Sequence, residues 1–206
     1  MDTTYFGRKY GIMVFRSNEL KKNILRKEVN RETIQGYKDG IKTLQDQGWI
    51  IKAIVCDGKR GLLGGLNLPV QMCLFHQKQI MRRYITMTPK LEANIELQVI
   101  SGFIGDLKKS TIQERLNDRY SRHKEFLLEK NDNGNYVHTR TRKAYRSLKN
   151  NLQYLYTFSD YKGIIDIPRT TNSIESVFSH MKQKVGLHRG LRKDRKLRLI
   201  DEFLGK

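Results

Sequence analysis

Trp49-Ile50-Ile51-Lys52-Ala53-Ile54-Val55-Cys56-Asp57-Gly58 is apolar at nearly every position until it meets an acid followed by a glycine. A run of that length, rich in β-branched residues, suits a strand buried on both faces. The stretch before it reads as a helix. Ile34, Tyr37, Ile41 and Leu44 recur at spacings of three, four and three and share one face, with Asn30 as the expected N-cap and Gly48 as the stop. A helix feeding a buried strand that ends in an acid is an α/β arrangement. Side chains at such strand ends project into a crevice.

Upstream, Thr3-Thr4-Tyr5-Phe6 and Ile12-Met13-Val14-Phe15-Arg16 read as strands around a turn at Gly7-Arg8-Lys9-Tyr10-Gly11. A third strand is expected at Asn23 to Val29, giving an antiparallel meander. Downstream the period changes. From about His76 to Tyr156 the chain reads as helices. One stripe is Leu91, Ile95, Val99, Phe103 and Leu107, and Ser110-Thr111-Ile112-Gln113 fits a capping box ahead of Ile112, Leu116 and Tyr120. Asn131 to Asn135 is a polar turn, and a basic helix with Tyr145, Leu148, Leu152 and Leu155 on its apolar side follows. Thr170-Thr171-Asn172 then opens a helix carrying Glu175, Phe178, Met181 and Lys182. The expected organisation is one α/β domain over 1–206, a helical insertion at about 80–160, and a basic tail at about 186–206.

Forty Lys and Arg stand against 21 Asp and Glu, a net charge of +19 over 206 residues. That field attracts polyanions, so DNA or RNA is the first candidate partner. No apolar run approaches the ~18 residues of a membrane span, and the first residues lack the pattern of a signal peptide. A cytoplasmic protein is expected. Cys56 and Cys73 are expected to be reduced. Cys73-Leu74-Phe75-His76 has metal-ligand spacing but supplies one pair where a structural zinc site uses four ligands.

Three acids stand where phosphodiester chemistry needs them. Asp2 begins the first strand, Asp57 ends the buried one, and Glu175 opens a late helix. Two Mg²⁺ or Mn²⁺ ions about 4 Å apart can activate a hydroxyl nucleophile and neutralise the phosphate. Such ions take oxygen ligands. Each acid also has a plainer reading: Asp2 as a terminal residue, Asp57-Gly58 as a turn, Glu175 and Asn172 as parts of a helix cap.

Asp2-Thr3-Thr4-Tyr5-Phe6 resembles the first-acid block of Mutator-like insertion-sequence transposases. Val55-Cys56-Asp57-Gly58 with Leu62 to Gly65 resembles their second-acid block, Cys73-Leu74-Phe75-His76 the element that follows it, and Asn172-Ser173-Ile174-Glu175 the third-acid block. The blocks fall in the family's order along the whole chain. The resemblance implies a ribonuclease H-like mixed sheet flanked by helices, with the helical insertion before the last catalytic helix. It implies a metal-dependent transposase core that cleaves DNA and transfers strands at transposon ends. Asp2, Asp57 and Glu175 would bind two Mg²⁺ or Mn²⁺ ions, supported by Cys73, His76 and Asn172. Transposon ends and target DNA would be its partners, with a homodimer or higher oligomer on DNA. Related transposases carry a DNA-binding region ahead of the first acid, so an N-terminally truncated core is expected.

Phosphate contacts are expected from Arg140, Arg142, Lys143, Arg146 and Lys149 on the basic helix, and from Arg189, Arg192, Lys193, Arg195 and Lys196 near the end. His180 and His188 are weaker candidates. Tyr136, Tyr145, Tyr154 and Tyr156 suit core packing better than base stacking. The alternatives are a DNA-binding fragment without catalysis and another ribonuclease H-like nuclease such as a resolvase.

Overall fold

The computed structural model describes residues 1–7 and 10–205. The chain begins with β1 (Asp2–Phe6), β2 (Tyr10–Ser17) and β3 (Lys22–Val29), then α1 (Ile34–Asp46) and β4 (Ile54–Cys56). Its middle holds β5 (Val70–Met72), α2 (Leu74–Ile85), α3 (Glu92–Gly102), α4 (Lys109–Arg122), α5 (Lys124–Leu128), α6 (Thr139–Leu155) and α7 (Thr157–Asp160). It ends with α8 (Asn172–Leu187) and α9 (Lys193–Leu204). The fold is α/β and divides into two compact units. One is Met1–Pro69 with Thr170–Lys206, and the other is Val70–Arg169.

In the first unit β1, β2 and β3 form an antiparallel sheet with β2 in the centre. Asp2 pairs with Val14 and Phe6 with Tyr10. β3 pairs from Gly11↔Val29 to Ser17↔Lys22, with a bulge at Phe15/Arg16. Of the expected turn Gly7–Gly11, Arg8 and Lys9 lie outside the described residues, Gly7 has φ +64°, and Tyr10 and Gly11 already belong to β2.

Because side chains alternate along a strand, β2 serves two layers. Tyr10, Ile12 and Val14 join Ile174, Phe178, Met181 and Val185 of α8 and Ile200 and Leu204 of α9 in one core. Met13 and Phe15, one residue out of phase, meet α1 on the other face. A Cβ on Gly40 would stand 2.1 Å from the Phe15 ring, so the helix approaches the sheet through glycine there. The unit is therefore a sheet between α1 and the α8–α9 pair.

Three expectations for this unit are corrected. The N-cap of α1 is Thr33, not Asn30: its hydroxyl accepts the Gly36 N–H at 3.0 Å, while Gly48, at φ +87°, closes the helix as expected. The apolar run beginning at Trp49 is strand only over Ile54–Cys56. Ile50 is 87% exposed and Trp49 37%, so the first half of the run is a connector and not a doubly buried strand. The basic end is not a tail, because α9 sinks Ile200 and Leu204 into the core.

The second unit is almost all helix. Its core includes Met81, Leu97, Ile112, Leu116, Leu148 and Leu155. Buried Gln71 donates to the Met72 and Leu155 carbonyls and accepts the Phe158 N–H, which pins β5 to the junction of α6 and α7. Arg119 is wholly buried on α4 and donates twice to the Ala93 carbonyl of α3, at 2.9 and 2.6 Å. Burial pulls its guanidinium down to about 10, still protonated at neutral pH. The turn at Asn131–Asn135 forms as expected, its Asn131 side chain accepting the Asn133 and Asn135 N–H groups.

In this unit one expectation fails, and the expected stripe along α3 faces solvent. α4 starts at Lys109 with no side-chain cap bond, so no capping box forms. α3 buries Ala93, Leu97 and Ile100, whereas Leu91, Ile95, Val99 and Phe103 are 43–51% exposed. No described helix is long and apolar enough to cross a membrane.

Candidate functional site

All three candidate carboxylates belong to the first unit. Asp2 opens β1 at the edge of the sheet and is half-buried. Its Oδ1 accepts the Thr3 N–H at 2.7 Å. Asp57 follows β4 directly, where the strand stops and Gly58 turns the chain at φ +93°. Its Oδ1 accepts the Lys59 N–H at 3.0 Å. The turn reading of Asp57-Gly58 and the strand-end reading are thus the same geometry. The Asx turn fixes the carboxylate that the strand presents.

The backbone joins these two acids. The Met1 ammonium donates to the Val55 carbonyl at 3.0 Å, so the residue before Asp2 is tied to β4 two residues before Asp57. A second connection runs through side chains. Tyr37, on the buried face of α1, has its hydroxyl 2.8 Å from Thr3 Oγ1 and 2.8 Å from Glu32 Oε1. Glu32 Oε2 pairs with Lys59 Nζ at 2.9 Å, and the Lys59 N–H holds Asp57. Burial pushes the Tyr37 hydroxyl far above its ordinary value; the Thr3 bond pulls it down, and Glu32 and, more weakly, Asp2 push it up. The phenol therefore stays protonated, directs its proton to Glu32 and accepts from Thr3. The chain Thr3–Tyr37–Glu32–Lys59 links the backbone beside Asp2 to the backbone beside Asp57. Sequence reading placed Tyr37 only in the helix core and passed over Glu32 and Lys59. The signal it had was Tyr37 itself, a hydroxyl on a buried stripe, which needs a partner.

Glu175 lies one turn into α8, half-buried. The helix cap is Thr171, not Asn172, which is the exposed first residue of the helix. The Thr171 hydroxyl makes no cap bond but donates to Glu175 Oε1 at 2.7 Å. Ile174 and Phe178 anchor this turn on the β2 face. Among the described residues, Asp2, Asp57 and Glu175 are not gathered within 4.8 Å of one another. Asp2 and Asp57 are tied through neighbouring backbone, while Glu175 is positioned by its helix.

Cys73 and His76 belong to the second unit. Cys73 is the buried N-cap of α2 and His76 sits in its first turn, with Sγ and a ring nitrogen within 4.8 Å of each other. The Cys-x-x-His spacing closes one helical turn, as i, i+3 residues do.

The candidate cations divide. Arg140 donates to the Arg83 and Tyr84 carbonyls at 2.7 and 3.0 Å, capping the end of α2. Arg142 donates to the Leu127 carbonyl and lies 3.4 Å over the Tyr136 ring. Both guanidiniums hold protein structure. Lys193 pairs with Glu28 and sits over Tyr10, and Lys196 donates to the Arg189 carbonyl at 3.0 Å. Lys143, Arg146, Lys149, Arg189, Arg192 and Arg195 are exposed, as are His180 and His188. Tyr145 and Tyr156 are core residues. No family model, no curated protein and no solved structure matches the chain.

Proposed function

We propose that the first unit is a ribonuclease H-like core that cleaves DNA phosphodiesters with divalent metal ions, as the resemblance to Mutator-like transposases implies. One observation carries the reading. The Met1 ammonium, one residue before Asp2, bonds the carbonyl of Val55, two residues before Asp57, although the two acids lie far apart in sequence. The sheet between α1 and α8–α9, with Glu175 on the helix that packs on β2, supports it.

The donor chemistry suits a hard cation. Asp2 and Asp57 each have Oδ1 oriented by a backbone N–H, which fixes the rotamer before any ligand arrives. All candidate ligands in this unit are carboxylates, the set that Mg²⁺ or Mn²⁺ takes. The bound ions would supply Lewis-acid activation of the nucleophile and charge neutralisation at the phosphate. Asp2 and Asp57 would hold them from the strands and Glu175 from the helix. The net charge of +19 and the exposed Lys143, Arg146, Arg189 and Arg192 favour DNA as the substrate. They equally suit a DNA-binding fragment without catalysis.

Supercoiled DNA incubated with the protein and Mg²⁺ separates the two. The enzyme reading expects nicking that falls about a hundredfold or more in Asp57→Ala and Glu175→Ala, since even outer-sphere partners of a metal are worth 10–100-fold. Undiminished cleavage in those variants removes the carboxylate assignment. Binding without cleavage, with no Mn²⁺ bound at Asp57, leaves the DNA-binding reading.

A further inference from the structure

The exposed face of α3 needs a partner. Leu91, just before the helix, is 46% exposed, Ile95 44%, Val99 51% and, just after it, Phe103 43%. At four-residue spacing they form one continuous stripe over about 18 Å of helix. It lies on the side opposite the buried Ala93, Leu97 and Ile100. A large contiguous apolar patch on a highly charged chain marks an interaction surface.

Charge selects the occupant. Residues 87–123, which include α3 and α4, carry six Lys and Arg against five Asp and Glu, while the rest of the chain carries 34 against 16. The stripe therefore sits in a nearly neutral segment of a strongly cationic protein. A polyanion finds little attraction there, and a second cationic copy meets little repulsion. The ends of the stripe are also complementary. Exposed Glu92 lies at its start, and Arg115 sits 5.6 Å over the Phe103 ring at its end.

We propose that α3 is the contact helix of a homodimer, with two copies packed antiparallel about a two-fold axis. Leu91 then faces the second copy's Phe103, Ile95 faces its Val99, and Glu92 reaches its Arg115. In an isologous interface each of these contacts occurs twice. Glu92 falls opposite Gly102, where an added Cβ would meet nothing within 4 Å in the single chain, so the backbones have room to approach. The proposal is independent of the carboxylate reading.

Sedimentation velocity of the full chain across a concentration series tests it, at salt high enough to screen self-repulsion. A dimer is expected. Val99→Glu and Ile95→Glu should each raise its dissociation constant about tenfold or more, as changes at the centre of an interface do. Both positions are exposed, so circular dichroism and the melting temperature of the monomer should be unchanged. Glu92→Arg alone and Arg115→Glu alone should weaken the dimer, and the double exchange should restore it. A chain that stays monomeric throughout, or a dimer indifferent to Val99→Glu and Ile95→Glu, overturns the proposal. Failure of the double exchange to restore association overturns the antiparallel arrangement.

Discussion

α6 and α3 both carry an apolar stripe at helical spacing, and the protein buries one and exposes the other. On α6, Tyr145, Leu148, Leu152 and Leu155 are buried, and the opposite side shows Lys143, Arg146 and Lys149 to solvent. On α3, the stripe from Leu91 to Phe103 faces out because Ala93, Leu97 and Ile100 face in. A helix with one apolar face has one way to pack. A helix with apolar side chains on two faces satisfies only one of them against a single neighbour and leaves the other for a second. The charged outer face of α6 and the apolar outer face of α3 should therefore answer to different partners, an anion and another apolar surface.

Four measurements test this contrast. The largest effect is expected at Arg119, which ties α4 to the inner face of α3. Arg119→Ala removes two bonds to the Ala93 carbonyl together with a buried side chain, and should cost about 3–5 kcal/mol in urea unfolding. Leu97→Ala and Leu148→Ala, both at 0% exposure, should each cost about 3 kcal/mol and so show the two inner faces to be equivalent. Lys143→Ala and Arg146→Ala should leave stability unchanged. Each should weaken DNA binding and reduce the slope of log affinity against log salt by about 1 if it contacts a phosphate. Ile95→Ala should do neither. The smallest effect on the single chain belongs to Val99→Ala, within about 0.5 kcal/mol at protein concentrations too low for association. A cost of several kcal/mol there would mean that the outer stripe is core after all.

The candidate site shows the same division between what a local pattern states and what packing decides. Strands β1, β2 and β3, α1 with its Gly48 stop, and the placement of Asp57 at a strand end and Glu175 at a helix start were legible from period and turn residues. Those depend on neighbours in sequence. The Thr33 cap was not legible, because Asn30 and Thr33 are both good caps and the geometry of the incoming chain chooses between them. The extent of β4 was misread for a related reason. An apolar run marks residues that avoid water, yet Ile50 stays 87% exposed because the chain leaving Gly48 becomes strand only at Ile54. Arg140 and Arg142 read as phosphate contacts because charge is visible in sequence. The carbonyls of Arg83, Tyr84 and Leu127 that engage them are not.

Residue pattern and composition carry an α/β chain with a helical middle, a strongly cationic net charge and three acids at element ends. Periodicity, turn chemistry and net charge are local or additive properties. Tertiary structure alone decided that Met1 bonds Val55, that Thr3, Tyr37, Glu32 and Lys59 connect the backbones beside Asp2 and Asp57, and which face of α3 looks outward. Each of these joins residues distant along the chain. A buried hydroxyl or an apolar face states that it needs a partner, but only the packed chain supplies one.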